Sequence, residues 1–255
     1  MIRPYILSET NFEFLQQHRY ELAILPWGAT EAHNFHLPYG TDNYQVEAIA
    51  AESARIAWEN AVNLVVLPNI PFGVNTGQTD FYLDMNLNPS TQLIVLKDLI
   101  TVLNRQGLKK LILLNGHGGN NFKPLLRELG YEFPEMFLSL CNWFQVPDKT
   151  LYFENPGDHA DEMETSLMLH LHADLILDSS KWGSGKAKKH RVQAISSSWA
   201  WSERKWSQVT EDTGVGDPSK STVEKGSQMF TALIKKLAGF YAEVGALDLD
   251  DQYTD

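Results

Sequence analysis

The chain is poor in cysteine, positive charge and long apolar runs. Cys141 is its one cysteine among 255 residues, which excludes an internal disulfide and is typical of a reducing compartment. No apolar run reaches the roughly 20 residues of a membrane-spanning helix, and the first residues are not typical of a signal peptide. The formal net charge of −11 argues against general binding to nucleic acid or anionic membranes. We therefore expect a cytoplasmic protein that binds neither nucleic acid nor a membrane.

Short apolar runs alternate with amphipathic stretches along the chain. The hydrophobic pattern predicts strands at 21–26, 63–68, 109–114 and 137–141, and helices at 42–60, 90–106, 121–129, 161–172 and 222–244. We expect Ser90 to cap the second of these helices, and Thr41 is a candidate cap for the first. The alternation predicts an α/β protein whose mostly parallel sheet is covered by helices on both faces. No linker or repeat divides the chain, so we expect a single domain over residues 1–255.

Two stretches lack this periodicity. Residues 69–89 are rich in Gly, Asn and Pro and predict a long loop that could cover a site. Residues 179–220 are polar and irregular, and they contain Trp182, Trp199, Trp201 and Trp206. We expect this second stretch to be a large excursion from the core.

Clusters of histidine and carboxylate lie beside the predicted strands and helices. Glu31 and His33 follow the first strand, Asp42 opens the next helix, and His117 follows the third strand. In open α/β sheets, ligands bind beyond the carboxyl ends of the strands. Imidazole together with carboxylate is a ligand set that suits zinc, iron or manganese. These clusters therefore predict a hydrolytic metal site.

Each of these residues also has a simpler interpretation. Asp42 could be a favourable charge at a helix N-terminus, and Glu164 could be a solvated charge on a helix face. His36 is equally compatible with a packed, hydrogen-bonded side chain. Cys141, inside an apolar run, is better explained as a buried strand residue than as a catalytic thiol. His117 lies between glycines, which give a histidine little to pack against, so its chemical interpretation is favoured.

Several motifs form a joint pattern that is more specific than its parts. They are LPWGATEAH at 25–33, HLP at 36–38, GTD at 40–42, LNGHGGN at 114–120, His159, ETSLML at 164–169, and GDP at 216–218 with EKG at 224–226. In this order they resemble the creatininase (creatinine amidohydrolase) family over nearly the whole chain. The resemblance implies a cytoplasmic, metal-dependent amide hydrolase with a three-layer α/β/α sandwich, often assembled as a hexamer.

The resemblance also implies roles for individual residues. Glu31, His33, Asp42 and His117 match metal ligands, with Asp42 in the bridging position. Glu164 matches a glutamate of the catalytic site that is a metal ligand in some members, and His159 matches the proton carrier. Trp143 matches an aromatic residue beside the substrate, and Gly118 and Gly119 match a loop that borders it. The implied cofactor is one or two divalent ions, either zinc, manganese or iron.

The chain departs from the creatinine-cleaving members at two places. Those members have a tyrosine and a metal-binding glutamate where this chain has Gly118 and Gly119, and a tryptophan just before His159 that is absent here. The wider family includes a formamide-cleaving enzyme and a peptidase. We therefore expect a bulkier amide or a formamide as substrate, in preference to creatinine.

Two other functions can be compared with this one. A non-catalytic, metal-containing protein that binds a small molecule on the same fold is the main alternative. A cysteine or serine hydrolase is disfavoured, because no nucleophile-elbow motif surrounds Cys141 or any serine.

Overall fold

The central sheet has four parallel strands. The computed structural model describes residues 2–254, so Met1 and Asp255, the ends of the predicted domain, lie outside the described residues. The strands are β1 (Leu22–Trp27), β2 (Leu64–Val66), β3 (Lys110–Asn115) and β4 (Phe137–Asn142), in the order β2-β1-β3-β4. All three strand pairs are parallel, which confirms the prediction of a mostly parallel sheet.

Helices connect and cover these strands. They are α1 (Phe12–Gln17), α2 (Thr41–Glu59), α3 (Pro89–Arg105), α4 (Phe122–Glu132), α5 (Glu162–His172), α6 (Gln193–Ser196), α7 (Trp206–Val209) and α8 (Val223–Ala246). The five predicted helices are present, with ends that differ by at most three residues from the predicted ones. Within residues 2–254, no helix has the length and apolarity needed to cross a membrane.

Alternate residues of the strands face two separate cores. Leu22 and Ile24 of β1 pack in a core with α2, α5 and α8, while Ala23 and Leu25 pack in a second core with α3 and α4. Every residue of β1 is buried, as a strand covered on both faces must be. The fold is therefore α/β, with helices on both faces of the sheet in three layers.

Two residues considered as helix caps do not cap their helices. Helix α3 begins at Pro89 with Asn88 in the N-cap position, so Ser90 is not the cap. Proline suits the first helical position because the N–H group that it lacks would have no helical partner there. Thr41 is the first residue of α2 and not its cap, since its hydroxyl donates to the carbonyl of Pro38 at 2.7 Å and closes the preceding turn.

The register of the sheet places the candidate loops side by side. Trp27 pairs with Asn115, and Asn115 pairs with Asn142, so β1, β3 and β4 end at the same level. The residues that follow these strands therefore meet at one edge of the sheet, as predicted.

Candidate metal centre

Six side chains from separate segments meet at the carboxyl edge of the sheet. Glu31 and His33 follow β1, Asp42 and Glu164 lie in the first turns of α2 and α5, His117 follows β3, and His159 precedes α5. Their exposed fractions range from 0% for His33 to 9% for Glu164. The sequence thus predicted a cluster whose members are brought together and buried by the fold.

The carboxylate of Asp42 lies between two groups of possible ligands. Its Oδ1 is 3.1 Å from Nε2 of His33, and its Oδ2 is 3.0 Å from Nδ1 of His117. Glu31 Oε1 is 2.9 Å from the same nitrogen of His117. These atoms form two groups, each of which could hold an ion. Glu31, Asp42 and His117 form one group, and His33, Asp42 and Glu164 form the other. Asp42 belongs to both, which is the arrangement of a bridging carboxylate.

Each histidine of the cluster is oriented by a backbone carbonyl. His33 Nδ1 donates to the carbonyl of Glu31 at 3.1 Å, and His117 Nε2 donates to that of Val74 at 3.1 Å. His159 Nε2 donates to the carbonyl of Ala32 at 2.9 Å. Because a carbonyl can only accept, the proton on that ring nitrogen is fixed and the other nitrogen is left for the centre. Metal-binding histidines are commonly held in this way.

Two carboxylate oxygens in the cluster have no hydrogen-bond partner among the described residues. They are Oε1 of Glu31 and Oδ2 of Asp42, and both are buried. Both converge on Nδ1 of His117, at 2.9 Å and 3.0 Å, and the single proton that this nitrogen can carry could serve only one of them. A buried polar atom without a partner costs about 1–3 kcal/mol, and more when it is charged. A divalent cation between these oxygens would satisfy them, so the residues present fit a metal ion.

The electrostatics of the cluster also favour a cation. Burial lowers the pKa of His33, but the carboxylates of Asp42 and Glu31 outweigh it and raise that pKa to about 10. The pKa of His117 is likewise raised well above its ordinary value by Glu31 and Asp42 against the effect of burial. The two histidines therefore hold protons that balance the carboxylates when no ion is bound. A cation would take the place of those protons.

Glu164 and His159 behave differently from these residues. Burial raises the pKa of Glu164 to about 8, and one of its oxygens accepts a hydrogen bond from the N–H of Ala160 at 2.5 Å. Burial lowers the pKa of His159, and the nearby charge of His33 lowers it further. His159 is thus a neutral imidazole whose Nδ1 lies 3.8 Å from Oε1 of Glu31. That position suits proton transfer, and it also lies close enough for a third possible group of ligands with Glu31 and His33.

The sequence did not reveal three residues that contact the cluster. Gln78 donates a hydrogen bond to Oε2 of Glu31, and Asp84 accepts one from the N–H of Ala32 at 2.7 Å. The ring of Trp206 lies 4.9 Å from that of His159. Gln78 and Asp84 belong to the loop at 69–88, whose predicted position over the site is correct. Periodicity does not single out individual residues in such loops, so the sequence contained no signal for Gln78 or Asp84. For Trp206, the signal was the high aromatic content of residues 179–220.

The predicted substrate-binding residues lie in contrasting surroundings. Trp143 is fully buried in the core that includes α2 and α8, and its ring nitrogen has no partner among the described residues. A Cβ on Gly118 would meet nothing within 4 Å, whereas one on Gly119 would lie 2.4 Å from His117 Nε2. Gly119 therefore leaves no free volume beside the centre, because a side chain there would clash with His117. The contact of these residues with substrate stays a prediction.

Two of the simpler interpretations are correct. His36 is buried, its Nε2 lies 3.0 Å from the hydroxyl of Thr165, and its ring stacks on Trp182. Burial lowers the pKa of His36 to about 4, so it is a neutral, packed histidine. Cys141 lies in β4, and burial raises the pKa of its thiol to about 11, which leaves almost no reactive thiolate at neutral pH.

Comparison with known proteins agrees with the geometry. A profile of the creatininase family, described as creatinine amidohydrolase, matches residues 7–241. A solved structure from Bacteroides fragilis NCTC 9343, provisionally assigned as a creatinine amidohydrolase, shares the fold with a TM-score of 0.91 and 39% sequence identity. That match covers 98% of this chain and 99% of the other.

Two relatives with named activities are more distant. The creatinine amidohydrolase of Pseudomonas putida is 29% identical over 174 residues, which are 60% of this chain and 65% of that enzyme. The mycofactocin precursor peptide peptidase of Mycolicibacterium smegmatis is 25% identical over 224 residues, which are 85% of this chain and 83% of that enzyme. The profile match spans nearly the whole chain and includes every residue of the buried cluster. This chain belongs to the creatininase family.

Proposed function

We propose that this protein is a metal-dependent amidohydrolase that cleaves a C–N amide bond in a small amide, cyclic amide or formamide. The single observation that carries the proposal is the placement of Asp42, whose two oxygens turn to two different groups of ligand atoms. The orphaned oxygens of Glu31 and Asp42 support it. The proposed ligands are Glu31, His33, Asp42, His117 and Glu164.

Histidine and carboxylate ligands without a thiolate suit zinc, manganese or iron in the divalent state. One or two such ions, when bound, lower the pKa of a water molecule and polarise the carbonyl of the amide. The chain's own residues orient the proposed ligands and exclude bulk water. Gln78 holds the carboxylate of Glu31, and Val74 holds the ring of His117. Burial of the six side chains keeps bulk water away from the reacting atoms.

His159 is the proposed proton carrier. Its Nε2–H is fixed on the carbonyl of Ala32, so Nδ1 is the nitrogen that faces the centre. Nδ1 can accept a proton from the attacking water and pass it to the leaving nitrogen. Glu164, whose pKa burial raises to about 8, is the second proposed catalytic group.

The substrate is the less defined part of the proposal. Relatives of this chain act on creatinine and on a peptide, so a C–N bond is common to them while the rest of the substrate differs. We propose a bulkier amide or a formamide as the preferred substrate. We also propose that the protein is cytoplasmic and forms a homo-oligomer, with a hexamer as the form implied by the family.

A screen for hydrolysis products tests the function. Purified protein is treated with a chelator, reloaded with zinc, manganese or iron(II), and incubated with creatinine, cyclic amides, N-substituted formamides and short peptides. The proposal expects the ring-opened or cleaved carboxylic acid product from at least one class, only after reloading. A protein that binds one of these compounds stoichiometrically but forms no such product would instead be the non-catalytic binding protein.

A further inference from the structure

Segment 203–207, which precedes and begins α7, is attached to the loop that covers the centre. The backbone N–H of Trp206 donates to the carbonyl of Gly77 at 3.1 Å. The hydroxyl of Thr76 donates to Oε1 of Glu203 at 2.9 Å. These bonds join two parts of the chain that are more than 120 residues apart. The position of Trp206 is therefore set by a long-range connection and not by α7 alone.

The indole of Trp206 is fixed from two sides. Its ring centre lies 4.9 Å from that of His159, with an angle of 68° between the planes. The guanidinium carbon of Arg204 lies 4.7 Å over the indole, and Arg204 also pairs with Asp158 at 2.8 Å. Asp158 immediately precedes His159, so the same pair of residues holds the indole and the proton carrier together. A cation over an aromatic face stabilises this arrangement.

Trp206 nevertheless retains free surface. It is partly exposed, while His159, against which it packs, is 6% exposed. Its ring nitrogen donates to no residue in the described part of the chain, in contrast to Trp27, which donates to the carbonyl of Phe72, and Trp182, which donates to that of Leu177. A rigid aromatic surface with an unused donor is thus presented beside the histidine that faces the candidate metal centre.

We propose that Trp206 is a specificity-determining residue that forms the aromatic wall of the substrate site. The inference rests on the proposed hydrolase function and names the substrate class more closely. The preferred substrate carries a planar or apolar group next to the scissile amide, and this group packs on the indole. Its amide or carbonyl oxygen can accept a hydrogen bond from the indole nitrogen. This aromatic wall thus comes from the irregular stretch at residues 179–220. The residues just before His159 include no tryptophan that could form it.

Binding of two hydroxamates tests this inference without relying on turnover. Acetohydroxamate and benzohydroxamate chelate a metal ion through the same two oxygens, but only the second carries a planar group. We expect metal-loaded wild-type protein to bind benzohydroxamate about tenfold more tightly, which is within the range for aromatic contacts with added apolar burial. In Trp206→Ala the preference should fall to about twofold or less, and Trp206→Phe should retain most of it.

The controls separate a wall from a structural role. Trp201→Ala removes an indole that is 82% exposed in the same irregular stretch, residues 179–220. This variant should keep the wild-type preference. Bound metal should be equal in all variants, because Trp206 is not a ligand. If Trp206→Ala folds poorly, Trp206→Gln keeps a long side chain without an apolar face and should still lose the preference for the aromatic compound.

Three outcomes would contradict the inference. An unchanged ratio of the two affinities in Trp206→Ala, or in Trp206→Gln, would show that the indole does not contact the ligand. An equal loss of both affinities would show that Trp206 has only a structural role, in holding the loop that covers the centre. If neither hydroxamate binds the metal-loaded wild-type protein, the proposed metal function itself is wrong.

Discussion

Oδ2 of Asp42 lies 3.0 Å from Nδ1 of His117, a nitrogen that it shares with Oε1 of Glu31, so one proton cannot satisfy both buried oxygens. The other oxygen of Asp42 faces His33. A single aspartate in the first turn of α2 is therefore shared by the loops that follow β1 and β3. Its interpretation as a simple charge at a helix N-terminus does not account for a buried, unsatisfied oxygen, whereas an ion between the two loops does.

Replacement of His159 by alanine should separate proton transfer from metal binding. If His159 only moves protons, His159→Ala keeps its metal and loses about 10²–10⁴-fold in rate, the usual contribution of a positioned acid–base group. The measurement is metal content together with kcat on the best substrate. Loss of metal, with activity regained in excess metal, would instead make His159 the ligand that its distance to Glu31 and His33 permits.

Two adjacent glycines offer a matched pair of variants. A methyl group at Gly119 would lie 2.4 Å from both His117 Nε2 and the carbonyl of Val74, so it must break the bond that orients His117. We expect Gly119→Ala to weaken metal binding by about 10–100-fold, as loss of an orienting partner commonly does. Gly118→Ala, whose methyl group meets nothing within 4 Å, should bind metal like the wild type. Equal affinities in the two variants would contradict this assignment.

The metal-free protein should lose stability as the pH rises. The pKa of His33 is raised from 6.5 to about 10, so its protonated form stabilises the fold fully below pH 6.5 and this contribution is lost towards pH 10. The raised pKa of Glu164, about 8, acts in the same direction between pH 4.5 and 8. We expect the Tm of chelated protein to fall between pH 7 and pH 9, while reloaded protein changes less. Parallel changes in the two forms would count against a metal at this site.

Much of this candidate centre could be predicted from the sequence because its proposed ligands lie at the ends of regular elements. Glu31, His33 and His117 follow apolar strands, and Asp42 opens an amphipathic helix, so periodicity alone places them at one edge. Gln78 and Trp206 could not be found in this way. They reach the cluster through contacts between distant segments without periodicity, and nothing local in the sequence specifies such contacts.

Kinetics with creatinine test the expected substrate preference. The loop at Gly118 and Gly119 lacks the tyrosine and the glutamate of creatinine-cleaving members, and the aromatic wall comes from Trp206 instead. We expect poor activity on creatinine, well below the ordinary enzyme range, and better activity on an amide with a planar or apolar group. A kcat/KM for creatinine of about 10⁴ M⁻¹s⁻¹ or more would show this expectation to be wrong.

The most direct test of the account is the metal content of wild-type protein and of His117→Ala, measured by elemental analysis alongside amide hydrolysis. His117 is oriented by Val74 and lies within 3.0 Å of Glu31 and Asp42, so its removal takes away a proposed ligand without disturbing either core. The account predicts one or two ions per wild-type chain, and a loss of both metal and activity in a folded His117→Ala. Full activity in metal-free His117→Ala would contradict it.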